Sequence, residues 1–85
     1  MADKKAVAEV IHWFDKVSVA ILRIEKGAKI KTGDMVVVGD GEKEFEQEIG
    51  EIQVDHKPVA EATAGMEVGV KFDQKTREGT KVYSA

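Results

Sequence analysis

Three short phrases, KTGDMV (Lys31–Val36), TAGMEV (Thr63–Val68) and REGTKV (Arg77–Val82), constrain this chain more than anything else in it. Each places a glycine (Gly33, Gly65, Gly79) three residues before a valine that opens or lies in an apolar run. Glycine takes a positive φ without steric cost, so it suits a tight turn that feeds a strand. The spacing of the three phrases is uneven, which excludes a solenoid repeat. One turn-into-strand device used three times predicts a strand-rich fold in which Val36, Val68 and Val82 point inward.

The remaining pattern agrees. Ala6–Val10, Val17–Ile24, Met35–Val38, Val68–Phe72 and Lys81–Tyr83 are short runs rich in β-branched residues, with alternation such as Val17, Val19, Ile21. Glu44–Val54 alternates in two phases, and the change near Gly50 predicts a β-bulge inside one strand. The only proline, Pro58, lies in the longest connection and is excluded from a central strand. Ala60–Ala64 has room for one helical turn. No long 3.6-residue period occurs. About six strands in an 85-residue chain, read as one domain over residues 1–85, predict a closed all-β barrel, since closure removes exposed edges.

Composition narrows the class. There is no cysteine, so neither a disulfide nor a thiolate metal site is available. No apolar run approaches the roughly 20 residues of a membrane helix, and the first ten residues lack a leader-like apolar stretch. These features predict a cytoplasmic, monomeric protein. The formal net charge of −3 gives no bulk attraction to nucleic acid.

Two family likenesses rest on particular residues. The order Ile30-Lys-Thr-Gly-Asp-Met-Val, Val59-Ala-Glu-Ala-Thr-Ala-Gly-Met-Glu-Val-Gly-Val and Arg77-Glu-Gly-Thr-Lys-Val resembles the second domain of translational GTPases, the barrel of elongation factor Tu and its relatives. The segments His12-Trp-Phe-Asp-Lys-Val-Ser-Val-Ala and Gln53-Val-Asp-His-Lys-Pro-Val are more closely similar to the small C-terminal barrel of the collagenase-like peptidase family. The resemblance implies a closed six-stranded Greek-key β-barrel of the translation-factor domain 2 type. Only Gly33-Asp34 keeps the Gly-Asp turn of the elongation factors; Met66 and Thr80 replace the aspartate in the other two phrases. No G-x-x-x-x-G-K-[ST] phosphate loop occurs, and the chain has no asparagine for a guanine-reading motif. The resemblance therefore implies the barrel without a GTPase.

Candidate sites follow from residue chemistry. His12, Trp13 and Phe14 are adjacent, and in a strand Trp13 and Phe14 face opposite sides. Trp13 is either a stacking platform for a base or a plug in the end of the barrel. His12 and His56 stand near Asp15 and Asp55, but no spacing supplies a third ligand or a nucleophile, so no catalytic, metal or cofactor site is expected. Glu42, Glu44, Glu46 and Glu48 share one face of a strand, a solvated face that protects an edge, with Phe45 and Ile49 toward the core. Lys26, Lys29 and Lys31, together with Lys71, Lys75, Arg77 and Lys81, form either one basic patch for phosphates or dispersed solubilising charge. Two functions follow. The first is a non-enzymatic binding module that contacts tRNA, ribosomal RNA or the translation and RNA-modification machinery, through Lys26, Lys29, Lys31, Lys75, Arg77 and Trp13. The second is an accessory barrel that docks on a partner enzyme.

Overall fold

The computed structural model describes residues 6–39, 44–55 and 57–84. It contains ten short strands, more than the six expected: β1 (Ala6–Phe14), β2 (Val19–Ile24), β3 (Lys29–Lys31), β4 (Met35–Val38), β5 (Phe45–Glu48), β6 (Ile52–Val54), β7 (Lys57–Val59), β8 (Glu61–Thr63), β9 (Glu67–Lys71) and β10 (Lys81–Ser84). Eight of them form one antiparallel sheet in the order β5-β4-β10-β1-β2-β9-β6-β7, and β3 pairs with β8 in a separate ribbon.

Chain connectivity shows that the large sheet is curled. Strands β5 and β6 stand six places apart in the sheet order. In a flat sheet that is about 29 Å. Only Ile49, Gly50 and Glu51 join them, a reach of at most about 14 Å. The sheet therefore bends round until its two ends approach each other, as a half-barrel. Among the described residues the ladder does not close: it stops at β5 and β7. The parity change at Gly50 is accordingly not a bulge in one strand. It is a crossover between two strands at opposite ends of the sheet, and a crossover shifts the apolar phase just as a bulge does.

The three glycine phrases all make the same structure. Gly33, Gly65 and Gly79 have φ of 91°, 84° and 89°. In each turn the residue after the glycine donates its N–H back to the carbonyl three residues earlier: Asp34 to Lys31, Met66 to Thr63, Thr80 to Arg77. The residue before each glycine keeps a negative φ, so these are type II turns. Each turn then clasps one buried residue of another segment by a reciprocal backbone pair. Gly33 N–H bonds to Ile49 C=O and Ile49 N–H to Asp34 C=O, at 2.6 and 2.7 Å. Gly65 and Met66 hold Ile24 in the same way (3.0 and 2.9 Å), and Gly79 and Thr80 hold Val10 (2.6 and 2.8 Å). Val36, Val68 and Val82 are all buried, as the phrase predicts.

Side chains vary within that shared frame. Asp34 Oδ2 accepts the Lys31 backbone N–H at 3.0 Å, and Met66 Sδ takes the equivalent position on Thr63 N–H at 3.2 Å. A thioether is a weaker acceptor than a carboxylate, but its placement explains how methionine stands where Gly-Asp would end.

The core is continuous and apolar. It contains Leu22, Ile24, Ile30, Ile49, Ile52 and Phe72 with eight smaller valines and alanines of the sheet and Ala62 of the ribbon. Strand β1 carries two register shifts, one against β10 between Ala6 and Ala8 and one against β2. Val10 pairs with Leu22 and His12 with Ile21, leaving Ile11 as the extra residue. Before it, Ala8 and Val10 face the core; after it, the parity reverses, so Trp13 packs against the core while His12 and Phe14 turn outward. The residues expected to form a helical turn instead contain β8, with Ala62 buried. Pro58 lies in β7, at the sheet edge, where a missing N–H costs no ladder bond.

The edge strand β5 has the expected division. Glu44, Glu46 and Glu48 are exposed, Ile49 is buried and Phe45 is half-buried; Glu42 lies outside the described residues. Its one buried polar side chain, Gln47, is fully used. Gln47 Oε1 accepts the Asp73 backbone N–H at 2.8 Å, and its Nε2 donates to Glu48 C=O at 2.9 Å. This links one edge of the sheet to the segment after β9, across the curl. Gln47→Leu keeps the volume but strands the Asp73 N–H, and is expected to cost about 1–3 kcal/mol in urea unfolding.

Candidate functional site

Strand β2 lies between β1 and β9; its core face is apolar throughout, and its outer face is apolar at Val19 and Ile21 before ending in the exposed Arg23. Ala20, Leu22 and Ile24 face the core and are at most 2% exposed. Val19 and Ile21 project from the other face and stay partly exposed. A single-layer sheet normally carries polar residues on its solvent face. Here the alternation Val17, Val19, Ile21 is not the core stripe; it is an outward stripe.

Neighbouring elements extend that stripe into a groove. The bulge at Ile11 brings out Phe14, which is 51% exposed and stacks on His12 with ring centroids 6.3 Å apart. The turn after β1 ends at Ser18, with φ of 57°, and presents Val17 at 57% exposure. Phe14, Val17, Val19 and Ile21 line a groove of about 670 Å³, with Gly69 of β9 beside them. A Cβ at Gly69 would sit 3.4 Å from Val19 Cγ1 and 3.5 Å from Ile21 Cδ1. Glycine at this strand position thus leaves the methyl groups of β2 uncovered. Gln53, Asp55 and Glu67 complete the lining. Asp55 heads the connection between β6 and β7 with φ of 52°, a conformation that aspartate tolerates better than most residues.

The residues expected to contact nucleic acid are distributed differently. Trp13 is half-buried against the core, and its Nε1–H donates to Asp15 Oδ1 at 3.0 Å. Lys26 lies in the exposed turn after β2. Lys29 and Lys31 flank buried Ile30 on β3, where Lys31 is the direct cross-strand partner of Glu61 and Lys29 Nζ lies 4.0 Å from the same carboxylate. Lys75 and Arg77 line a groove with Val38, Phe45, Thr76 and Thr80, whereas Lys29 lines another with Asp34 and Met35; the two grooves share no residue. Lys81 pairs with Glu9 and Glu25 at 3.3 and 3.9 Å. Lys29 and Lys31 come together, as do Lys75 and Arg77, and among the described residues the two pairs lie in separate grooves. His12 Nδ1 lies 3.2 Å from Glu78 rather than beside Asp15. His56 lies outside the described residues. Among the described residues no group of three His, Asp or Glu side chains is placed to hold a metal ion.

The outward stripe was visible in the sequence as alternation. Arg23 shares the parity of Val19 and Ile21 and marks that set as the solvent-facing one, against the wholly apolar Ala20, Leu22 and Ile24. Two aliphatic residues in the set that carries the charge were the available signal.

No protein-family model matches the chain. Two crystal structures of the C-terminal domain of a candidate U32 peptidase from Geobacillus thermoleovorans superpose on it, each with a TM-score of 0.84. Identity is 17% and 16%; one match covers 94% of this chain and 99% of that domain, the other 96% and 92%. The chain shares the fold of that domain. A curated relative from Methanocaldococcus jannaschii, described as an uncharacterized protease, is 36% identical over 81 residues. That match takes in 94% of this chain but only 19% of the relative's length. Of the two likenesses in the sequence, the peptidase C-terminal domain is the one these proteins carry. The elongation-factor likeness finds no support in them.

Proposed function

We propose that the chain is a non-enzymatic accessory barrel that docks on a partner enzyme domain through the outer face of β2. The observation that carries this reading is the outward stripe of exposed Phe14 and Val17 with partly exposed Val19 and Ile21 beside Gly69. A contiguous apolar patch on a small soluble domain is a mark of an interaction surface. The relatives support the same reading. A fold shared with a peptidase C-terminal domain, matched to a fifth of a much longer protease, is the fold of a module that works beside a larger domain. Closure of the curled sheet into a barrel is part of this reading, supported by the approach of its two ends. Contact with RNA through Lys29, Lys31, Lys75 and Arg77 is the weaker alternative, since Glu61 lies directly against the first pair.

The test uses the Methanocaldococcus protease expressed without the segment that matches this chain. This region is expected to bind the barrel in calorimetry, and Ile21→Asp is expected to weaken binding at least about 30-fold, the effect of losing one interface hot spot. Ile21 is on the outer face, so unfolding curves of the variant should stay close to wild type. Absence of binding, or binding indifferent to Ile21→Asp, contradicts the proposal.

A further inference from the structure

The electrostatics around the groove specify what fits it. The residues that line it include two carboxylates, Asp55 and Glu67; of the cations beside it, Arg23 stands across from Glu67 and is drawn to Glu9 at 3.3 Å, and Lys71 stands across from Val19. A second groove adjoins it, sharing Val19 and Gln53, and brings Glu48, Glu51 and Asp73 against a single lysine, Lys71. Gln53 Nε2 donates to Glu51 Oε1 at 2.9 Å and fixes that carboxylate between the two grooves. The continuous surface thus joins an apolar strip to a field of one predominant sign. A concave surface lined by one sign of charge focuses its potential and attracts the opposite sign.

We infer that the groove takes a protein segment with a short apolar centre flanked by arginine or lysine, resting on the docking function proposed above. The apolar centre covers Val17, Val19 and Ile21, with Phe14 as the wall. The basic flanks meet Glu67 and Asp55 on one side and the carboxylates around Gln53 on the other. The same charge excludes a nucleic-acid backbone from this face. It also makes the surface selective, because an acidic-flanked segment of equal hydrophobicity would meet like charge.

The inference is tested with three labelled synthetic peptides that share a Leu-Val-Leu centre and carry arginine, serine or glutamate flanks. Fluorescence anisotropy is read at about 50 and 500 mM salt, conditions that separate screened from unscreened contacts. The arginine peptide is expected to bind at least tenfold tighter than the glutamate peptide at low salt, and the advantage should shrink at high salt. Glu67→Lys combined with Asp55→Asn is expected to remove the preference, with asparagine chosen because it tolerates the positive φ at residue 55. Ile21→Asp is expected to abolish binding of the serine peptide. Equal binding of all three peptides, or a preference unaltered by the double variant, overturns the inference. If no peptide binds while the protease region still docks on wild type and not on Ile21→Asp, the basic occupant is refuted and the docking function stands. Sedimentation supplies the remaining arm: self-association lost in Ile21→Asp would make the occupant a second copy of this chain and overturn the inference.

Discussion

Phe72→Ala is expected to lower the unfolding free energy by about 3–5 kcal/mol, the range for removing a buried aromatic ring. For a chain of this length the total is roughly 4–13 kcal/mol, so the variant should be near the edge of folding. Phe72 follows β9 and is only 1% exposed. Its ring meets Phe45 of β5 edge-on, with centroids 6.1 Å apart and planes at 87°. Strands β5 and β9 are far apart in the sheet order, so this contact exists only because the sheet curls. Gln47 reinforces the same seam through Asp73. Urea unfolding with an unchanged slope would assign the loss to the native packing. Phe72→Leu should cost far less, because it keeps most of the volume. A loss below about 0.5 kcal/mol for Phe72→Ala, the range of ordinary surface changes, would mean that the edges do not meet.

The second large effect comes from the turn glycines. Replacing Gly33, Gly65 and Gly79 together by L-alanine is expected to cost about 3–6 kcal/mol, from about 1–2 kcal/mol for each L-residue forced to positive φ. The added methyl meets nothing within 4 Å at any of the three positions. The cost is therefore backbone strain and not a clash. Each turn clasps a different residue, Ile49, Ile24 or Val10, so the effects should add. D-alanine at the same positions, introduced by chemical synthesis, separates the causes. It suits positive φ and restricts the unfolded chain, so it should leave stability unchanged or raise it by a few tenths of a kcal/mol or more. If L- and D-alanine are equally damaging, the turns are not held in the left-handed conformation.

Legibility in the sequence followed the physics of each residue. The glycine phrases were readable because a type II turn demands a residue free to adopt positive φ, and the inward valines follow at a fixed spacing. Pro58 was readable as excluded from a central strand because it has no N–H to give, but the segment read as one long connection contains β7 and β8. The acidic face of β5 was readable from its period of two. Parity changes were harder. At Gly50 an inserted connection and a bulge produce the same shift, and only the distance between β5 and β6 in the sheet separates them. The bulge at Ile11 left a trace in the adjacent pair Val10-Ile11, but nothing local distinguished it from a strand buried on both sides. On β2, Arg23 marks the outward parity of Val19 and Ile21. What the local pattern did not carry was the partner strand: Gly69 of β9 stands beside these two residues and leaves their methyl groups uncovered. The basic residues were identifiable as charges, while their acidic neighbours, above all Glu61 across the ribbon, depended on the pairing of β3 with β8.

The proposed meeting point between this chain and its partner is the uncovered face of β2. Methyl NMR of the isotope-labelled chain, titrated with the protease region that lacks its own matching segment, tests it most directly. The docking account predicts shifts or broadening concentrated on the methyls of Val17, Val19 and Ile21, with core methyls such as Leu22 little changed. Perturbations confined to the surroundings of Lys29 and Lys31, or of Lys75 and Arg77, with Val19 and Ile21 unmoved, would contradict it.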